Sequence, residues 1–434
     1  MKIRQKNIFY LFSAVSVLAI SFIGTIYYCK TADCSRASGQ MNQEVYLWQR
    51  DWTPSVTSTL LQHSENFSGI AVLAAEISWK KNSPVIFRTN PDYHAMRCAG
   101  KPVVITLRIG KAPNLFSEMH DDTKKIISLS QSLISDFNHN GIRISEIQID
   151  YDCAESKLGD YRFLVKKIRD ANPDVPLAIT ALPCWLDNNS FKHLIDLCDI
   201  YVLQVHSLER PAIDNPAFML CDPEKAIRAV EKAGRLGRRF RIALPTYGYL
   251  TFFDKNGKFL GLSAEGSPLN WPERITTCEV RSDPEAISEL VIKWTECRPS
   301  MMNGIVWFRM PVDGDRLNWS WKTLSAVMAG RNPSPHLSVV NRNPGCELAE
   351  IELSNNGDND FCGPVSVGIR WDKSRVISSD ALRDFEMKSS ESGSISFKSL
   401  SNELRIVPGA KKSVGWARFD KKTEVELDLC SGAN

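Results

Sequence analysis

Apolar residues fall along the chain in short runs, separated by longer stretches where they recur every three or four positions. The short runs read as strands and the 3.6-residue recurrence as amphipathic helices. The runs Val45–Arg50, Gly69–Glu76, Pro102–Ile109, Glu146–Asp152, Leu177–Pro183, Ile200–His206, Phe240–Tyr247 and Gly304–Arg309 predict eight strands. Between them, Asp121–Phe137, Lys157–Ala171, Ser190–Leu197, Asp222–Leu236 and Asp283–Glu296 predict helices, with Trp319–Ala329 as a closing helix. Asp222-Pro223 and Asp283-Pro284 mark two helix starts, a capping carboxylate followed by proline at the first helical position. Helices that carry the chain back across a sheet force its strands to pair in parallel. The expected fold is therefore α/β, a closed (β/α)8 TIM-like barrel over residues 43–331. A doubly wound sheet is the alternative, but no glycine-rich phosphate turn follows the first strand.

Two connections exceed ordinary loop length, and both follow the C-terminal ends of strands. Residues 77–100 hold a further strand-like run, Val85–Phe87, and residues 250–277 hold an Asn256-Gly257 hairpin signal. Beyond the linker Gly330–Pro335 the helical period disappears. Short alternating runs then predict a small antiparallel β-sandwich-like domain over residues 336–434.

The first 35 residues stand apart from both patterns. Lys2, Arg4 and Lys6 precede the uncharged apolar run Ile8–Tyr28, long enough to span a bilayer with its cationic end in the cytoplasm. An uncleaved N-terminal membrane anchor is expected, with a cleaved signal as the alternative. The rest of the chain would then be exported, held at the periplasmic side of the inner membrane or, after cleavage, released. Net charge is only +3, from 53 basic and 50 acidic residues, and the charges are interspersed, so a nucleic-acid partner is not expected. There are 12 cysteines. In an oxidising compartment Cys278 and Cys297 are the first expected bridge. No CxxC or Cys/His cluster points to zinc, and no phosphate loop, dinucleotide fingerprint or Gly-x-Ser-x-Gly elbow points to a cofactor.

The chemistry concentrates on the fourth strand. Side chains alternate there, so Gln148, Asp150 and Asp152 share one face. A parallel strand covered on both sides should be apolar throughout, and two acids with an amide need either a wet interior cavity or an ion-pair plug. Other strands end in the same vocabulary: Arg108 on the third, Trp185 after the fifth, Gln204 and His206 on the sixth, Tyr247 after the seventh, Trp307 and Arg309 on the eighth, and Trp48 on the first. Taken singly, His206 reads as a hydrogen-bonded core residue and an arginine as a surface ion pair. Together they collect where barrel active sites lie. Flat aromatic faces with acids, amides and arginine suit a polysaccharide or oligosaccharide. Two neighbouring carboxyls repel, which favours a proton on one of them. Asp152 is the expected acid, with Asp150 orienting it or the substrate.

At these residues the chain resembles the exported bacterial proteins of DUF3142. The shared pieces are Gln148-Ile149-Asp150-Tyr151-Asp152, Ile179–Pro183 with Trp185, Leu203–His206 and Leu244–Tyr249. That resemblance implies a barrel and assigns no activity. A more distant likeness is to the chitinase-like barrels of glycoside hydrolase family 18, which carry Asp-x-Asp-x-Glu on strand four, Pro-x-Tyr-Gly on a later strand and a tryptophan on strand eight. Gln148-x-Asp150-x-Asp152, Pro245-Thr246-Tyr247-Gly248 and Trp307 match those positions in spacing, with Gln148 in place of the first aspartate and Asp152 in place of the acidic glutamate. The other register puts Ala154 where the acid should be and implies sugar binding without hydrolysis. Three readings follow: a glycoside hydrolase-like enzyme of the envelope or extracellular space, a non-catalytic carbohydrate-binding or scaffold protein, and a metal-assisted hydrolase using Asp150, Asp152 and His206.

Overall fold

Eight of the strands close on themselves, and the register shows how. The computed structural model describes residues 34–113, 116–117, 120–207, 218–264, 275–390 and 393–432. The barrel strands are β1 (Asn42–Leu47), β2 (Gly69–Lys80), β3 (Val103–Ile109), β4 (Ile144–Asp150), β5 (Leu177–Ala181), β6 (Ile200–Gln204), β7 (Phe240–Pro245) and β8 (Met302–Phe308). Each pairs in parallel with the next, and β1 pairs with both β8 and β2, which completes the ring. Helices α1 (Pro54–His63), α2 (Tyr93–Ala99), α3 (Asp121–His139), α4 (Leu158–Ala171), α5 (Asn189–Ile195), α6 (Pro223–Arg235) and α7 (Pro284–Glu296) return the chain between strands. The Asp222 and Asp283 side chains accept from backbone N–H groups of the first turns of α6 and α7, as their sequence implies.

The closure is tight. A Cβ on Gly304 would lie 2.4 Å from the Asn42 carbonyl oxygen, so β8 approaches β1 through a residue with no side chain. Inside the ring, Tyr46, Ala71, Val104, Val202, Ala243 and Val306 form an apolar layer. Below it, at the N-terminal ends of the strands, Arg241 is clamped by Glu44 and Glu146. Burial pushes the Glu146 carboxyl up, and the Arg241 charge opposes that shift.

The long connections carry additional strands. Ser83–Arg88 pairs antiparallel with β2, and Gly248–Phe253 forms a three-stranded antiparallel sheet with Phe259–Ser263 and Thr276–Arg281. Several strands stop earlier than the sequence suggests: β4 ends at Asp150, β6 at Gln204 and β7 at Pro245.

A second compact unit spans Trp319–Asn434. It begins with α8 (Trp321–Met328), the helix expected to close the barrel. Two four-stranded antiparallel sheets follow. One apolar core, including Ile351, Leu353 and Val414 from one sheet and Val367, Ile369 and Phe397 from the other, is shared by both. The strands Val376–Ala381 and Phe385–Ser390 escape the sequence reading. Each sits at a sheet edge, where one flank needs no partner and a serine-rich, polar run is tolerated.

The apolar run Ile8–Tyr28 lies outside the described residues, and among those described no helix is long and apolar enough to cross a membrane. The Cys278–Cys297 bridge is not made: Cys278 carries a free thiol and Cys297 is disulfide-bonded. Cys278 sits on the outer strand Thr276–Arg281, where its position is set by that sheet.

Candidate active site

At the C-terminal ends of the strands the barrel opens into a cleft of about 850 Å³. Asp150 and Asp152 line it together with Arg108, Gln204, His206, Tyr247, Arg309 and Trp48. Both acids thus line the cleft, Asp150 from β4 and Asp152 from beyond its end. Asp150 is the last residue of the strand, nearly buried at 7% exposure. Asp152 stands beyond the strand end, where the Cys153 N–H donates to the Tyr151 carbonyl at 3.0 Å and turns the chain.

Three expected residues do not reach the cleft. Gln148 faces inward but is 1% exposed, and its amide donates to the Tyr46 hydroxyl at 2.5 Å, which fixes the layer under the acids. Trp185 follows β5 on a short 3-10 turn and is fully buried; its indole N–H donates to the Cys153 carbonyl at 3.2 Å. Its ring packs 6.3 Å from Tyr161 and 6.0 Å from Phe191. Trp307 is fully buried on the outward face of β8, with its N–H on Gln43 at 2.9 Å. The period of two decides that outcome: Val306 faces the interior layer and Phe308 lines the cleft, so Trp307 between them points the other way. Phe308 takes the place expected for Trp307. It stacks on His206 with ring centroids 5.4 Å apart and meets Tyr46 and Trp48 edge-on at 5.4 and 5.1 Å.

Glu76 was not foreseen as a cleft residue. The β2–β3 register slips by one residue between Leu73 and Ala75, and this bulge turns Glu76, Ser78 and Lys80 toward the opening. A bulge leaves little trace in sequence; the only signal was a charged residue ending an apolar strand. Phe87 and Val85 from the added antiparallel strand, and Leu262 from the hairpin after β7, complete the rim, each 40% exposed or more.

Charges alternate around the opening. Arg108 Nε lies 3.9 Å from Glu76 Oε1 and 4.0 Å from Asp150 Oδ2, with its guanidinium 5.7 Å from the centre of the Trp48 ring. Arg50 donates from Nε to Glu76 Oε2 at 2.7 Å. Arg309 pairs with Asp315 at 2.5 Å. Thr180 donates to Asp150 Oδ1 at 2.7 Å.

These surroundings move protons. Burial raises the Asp150 carboxyl above its usual range, against the Arg108 charge and the Thr180 hydrogen bond. Asp152 is exposed by area yet set between the cleft walls; loss of water there, then the Asp150 charge, lifts it to about 6. Burial depresses His206 to about 3, so its ring is neutral. The ring meets the Tyr247 hydroxyl at 3.4 Å through Nδ1, and Nε2 has no partner among the described residues. A buried, unpartnered ring nitrogen at a cleft wall is suited to a substrate hydroxyl. Among the described residues no group of three His, Cys, Asp or Glu is arranged to hold a metal ion, Asp150, Asp152 and His206 included.

No curated protein matches the chain. Among solved structures, the chain is similar to the spore cortex-lytic enzyme SleL of Bacillus megaterium QM B1551, at 11% identity and a TM-score of 0.46, covering 64% of this chain and 72% of that one. The chitinase ChiB from the chitin utilization locus of Flavobacterium johnsoniae, a GH18 enzyme, gives 12% identity and a TM-score of 0.43 over 68% of this chain and 94% of that one. The xylanase and alpha-amylase inhibitor protein XAIP-II from Scadoxus multiflorus gives 10% and 0.41 over 67% and 98%. The family resemblance carried by the strand-end motifs is met directly: residues 99–313, from the end of α2 to the loop after β8, match the model of the family described as a domain of unknown function, DUF3142.

Proposed function

We propose that the cleft takes a carbohydrate chain of the envelope or extracellular space and that Asp152 is the acid of a glycoside hydrolase-like reaction. The observation that carries this reading is the Asp150–Asp152 pair at the mouth of the barrel, with Asp152 raised to about 6 beside aromatic and aliphatic walls. Protonated Asp152 would give its proton to the glycosidic oxygen as the C–O bond breaks; water supplies a hydroxyl to the anomeric carbon and returns a proton to Asp152. Asp150, held by Thr180 and facing Arg108, stabilises positive charge developing on the sugar ring. Trp48, Tyr247 and Phe308 offer apolar faces to sugar C–H groups, and Gln204, His206 and Arg309 offer polar atoms to hydroxyls. The N-terminal apolar run would hold this domain at the outer face of the membrane or direct its release.

Asp152→Asn tests the acid role, using an envelope and exopolysaccharide panel read for binding and reducing-end release. The expected result is loss of release by about a hundredfold or more, with binding and fold retained. Unchanged release removes Asp152 from the mechanism. A second reading, carbohydrate binding without hydrolysis, is favoured by one feature: an aspartate is a methylene shorter than glutamate, and about 1 Å of displacement costs an acid much of its effect. It predicts saturable binding, no reducing ends, and a change only in affinity for Asp152→Asn.

A further inference from the structure

Glu76, Arg108 and Asp150 are register partners on three adjacent strands, Glu76 opposite Arg108 and Arg108 opposite Asp150. They form a row across the cleft wall, acid, base, acid. Arg50 extends it on one side by holding Glu76 Oε2, and Thr180 on the other by holding Asp150 Oδ1. Glu76 Oε1 is left toward Arg108, whose Nε stands almost equally far from the two acids, at 3.9 and 4.0 Å. Neither distance is a closed, bidentate pair, so Arg108 is shared rather than committed.

We propose that Glu76 is a positioning residue, one that holds Arg108 back from Asp150 and so keeps a proton available to the Asp150–Asp152 pair. The bulge in β2 is what brings it there; without the extra residue Glu76 would point to the opposite face. This inference rests on the cleft acids being the working groups but not on their cutting any particular sugar. Other titratable groups line the same cleft, Tyr46 among them with its hydroxyl held by the Gln148 amide. Lys80 comes from β2, Arg309 from the loop after β8 is tied to Asp315, and neutral His206 and Tyr247 stand on the far wall. Cys153 and Cys184, next to the β4 and β5 ends, hold their protons because burial pushes both thiols up.

The test is a carboxyl titration by ¹³C NMR on the full-length chain labelled at aspartate Cγ, with Asp152 identified by its loss in Asp152→Asn. In Glu76→Gln, Arg108 should close on Asp150 and the Asp152 midpoint should fall by about half a unit or more. In an Arg108→Gln background the same substitution should move it by much less, because Glu76 acts through Arg108. Glu76→Asp should restore most of the wild-type value. Arg50→Gln, at an exposed side chain, gives an independent check of opposite sign, since Glu76 freed from Arg50 draws Arg108 away and the midpoint rises. No shift in Glu76→Gln, or equal shifts with and without Arg108, overturns the proposal. An Asp152 midpoint in the ordinary carboxylate range would instead defeat its role as acid, while the differences among variants still decide the role of Glu76.

Discussion

Asp152 and His206 line the same cleft, yet desolvation moves their protons in opposite senses. A carboxyl is neutral when protonated and an imidazole when deprotonated, so loss of water raises the first to about 6 and lowers the second to about 3. The proposed acid is therefore loaded below about pH 6, and His206 stays neutral throughout the range in which glycan cleavage would be measured. The pH–rate profile should lose activity as pH rises through about 6, and His206→Gln should leave that limb in place while weakening substrate binding. The same shift has a stability consequence. With the folded value below the unfolded one, the unfolded chain takes up the proton first as pH falls from about 6.5 toward 3, so His206 costs stability on acidification. Denaturation of His206→Gln across that window should show a shallower fall than the parent. At this scale the sequence was a good guide to which types of residue collect, and a poor one to orientation near strand ends. Asp150 faces the cleft by the alternation of β4, and Asp152 reaches it from the turn beyond the strand. Trp307 is turned outward by the alternation of β8 and Trp185 follows β5 on a short turn, and both are buried with their N–H groups satisfied.

Elements explain what single residues do not. The eight strands were legible because each couples an apolar run to a helix, and a parallel sheet allows little else. Their exact ends were not: β4, β6 and β7 each stop two residues short of the apolar-run reading, at Asp150, Gln204 and Pro245. Nor was the β2 bulge, a backbone event that adds one residue without changing composition. The edge strands Val376–Ala381 and Phe385–Ser390 were missed for the complementary reason: one-sided pairing relaxes the alternation on which the reading depends. Ring closure at β1–β8 is a close approach of two backbones. Gly304→Ala would drive a methyl into the Asn42 carbonyl, and the expected cost is about 1–3 kcal/mol in urea denaturation. An unchanged midpoint would mean that β8 can shift away from β1 without loss.

At the scale of the whole chain, the two compact units have separate apolar cores, and each should answer to its own substitutions. Phe397, fully buried in the core shared by the two C-terminal sheets, tests this. Phe397→Ala should lower the stability of that unit by about 3–5 kcal/mol. Hydrogen exchange should show faster exchange in Val365–Arg370 and Lys411–Phe419, with protection of β3–β6 unchanged. Loss of protection in the barrel strands as well would mean that the units unfold together.

Returning to the end of β4, one acid is mounted on the wall and the other just past it. Asp150 belongs to the hydrogen-bonded ring, whereas Asp152 hangs from the turn that follows. Exchange of the outer carboxyl for a longer one, or for none, alters no strand pairing and fills no packed space. On the proposed reading of Asp152 as the acid, reactivity is therefore cheap to revise over evolutionary time: descendants of one barrel could gain, soften or abandon bond cleavage at a single codon and still present the same groove.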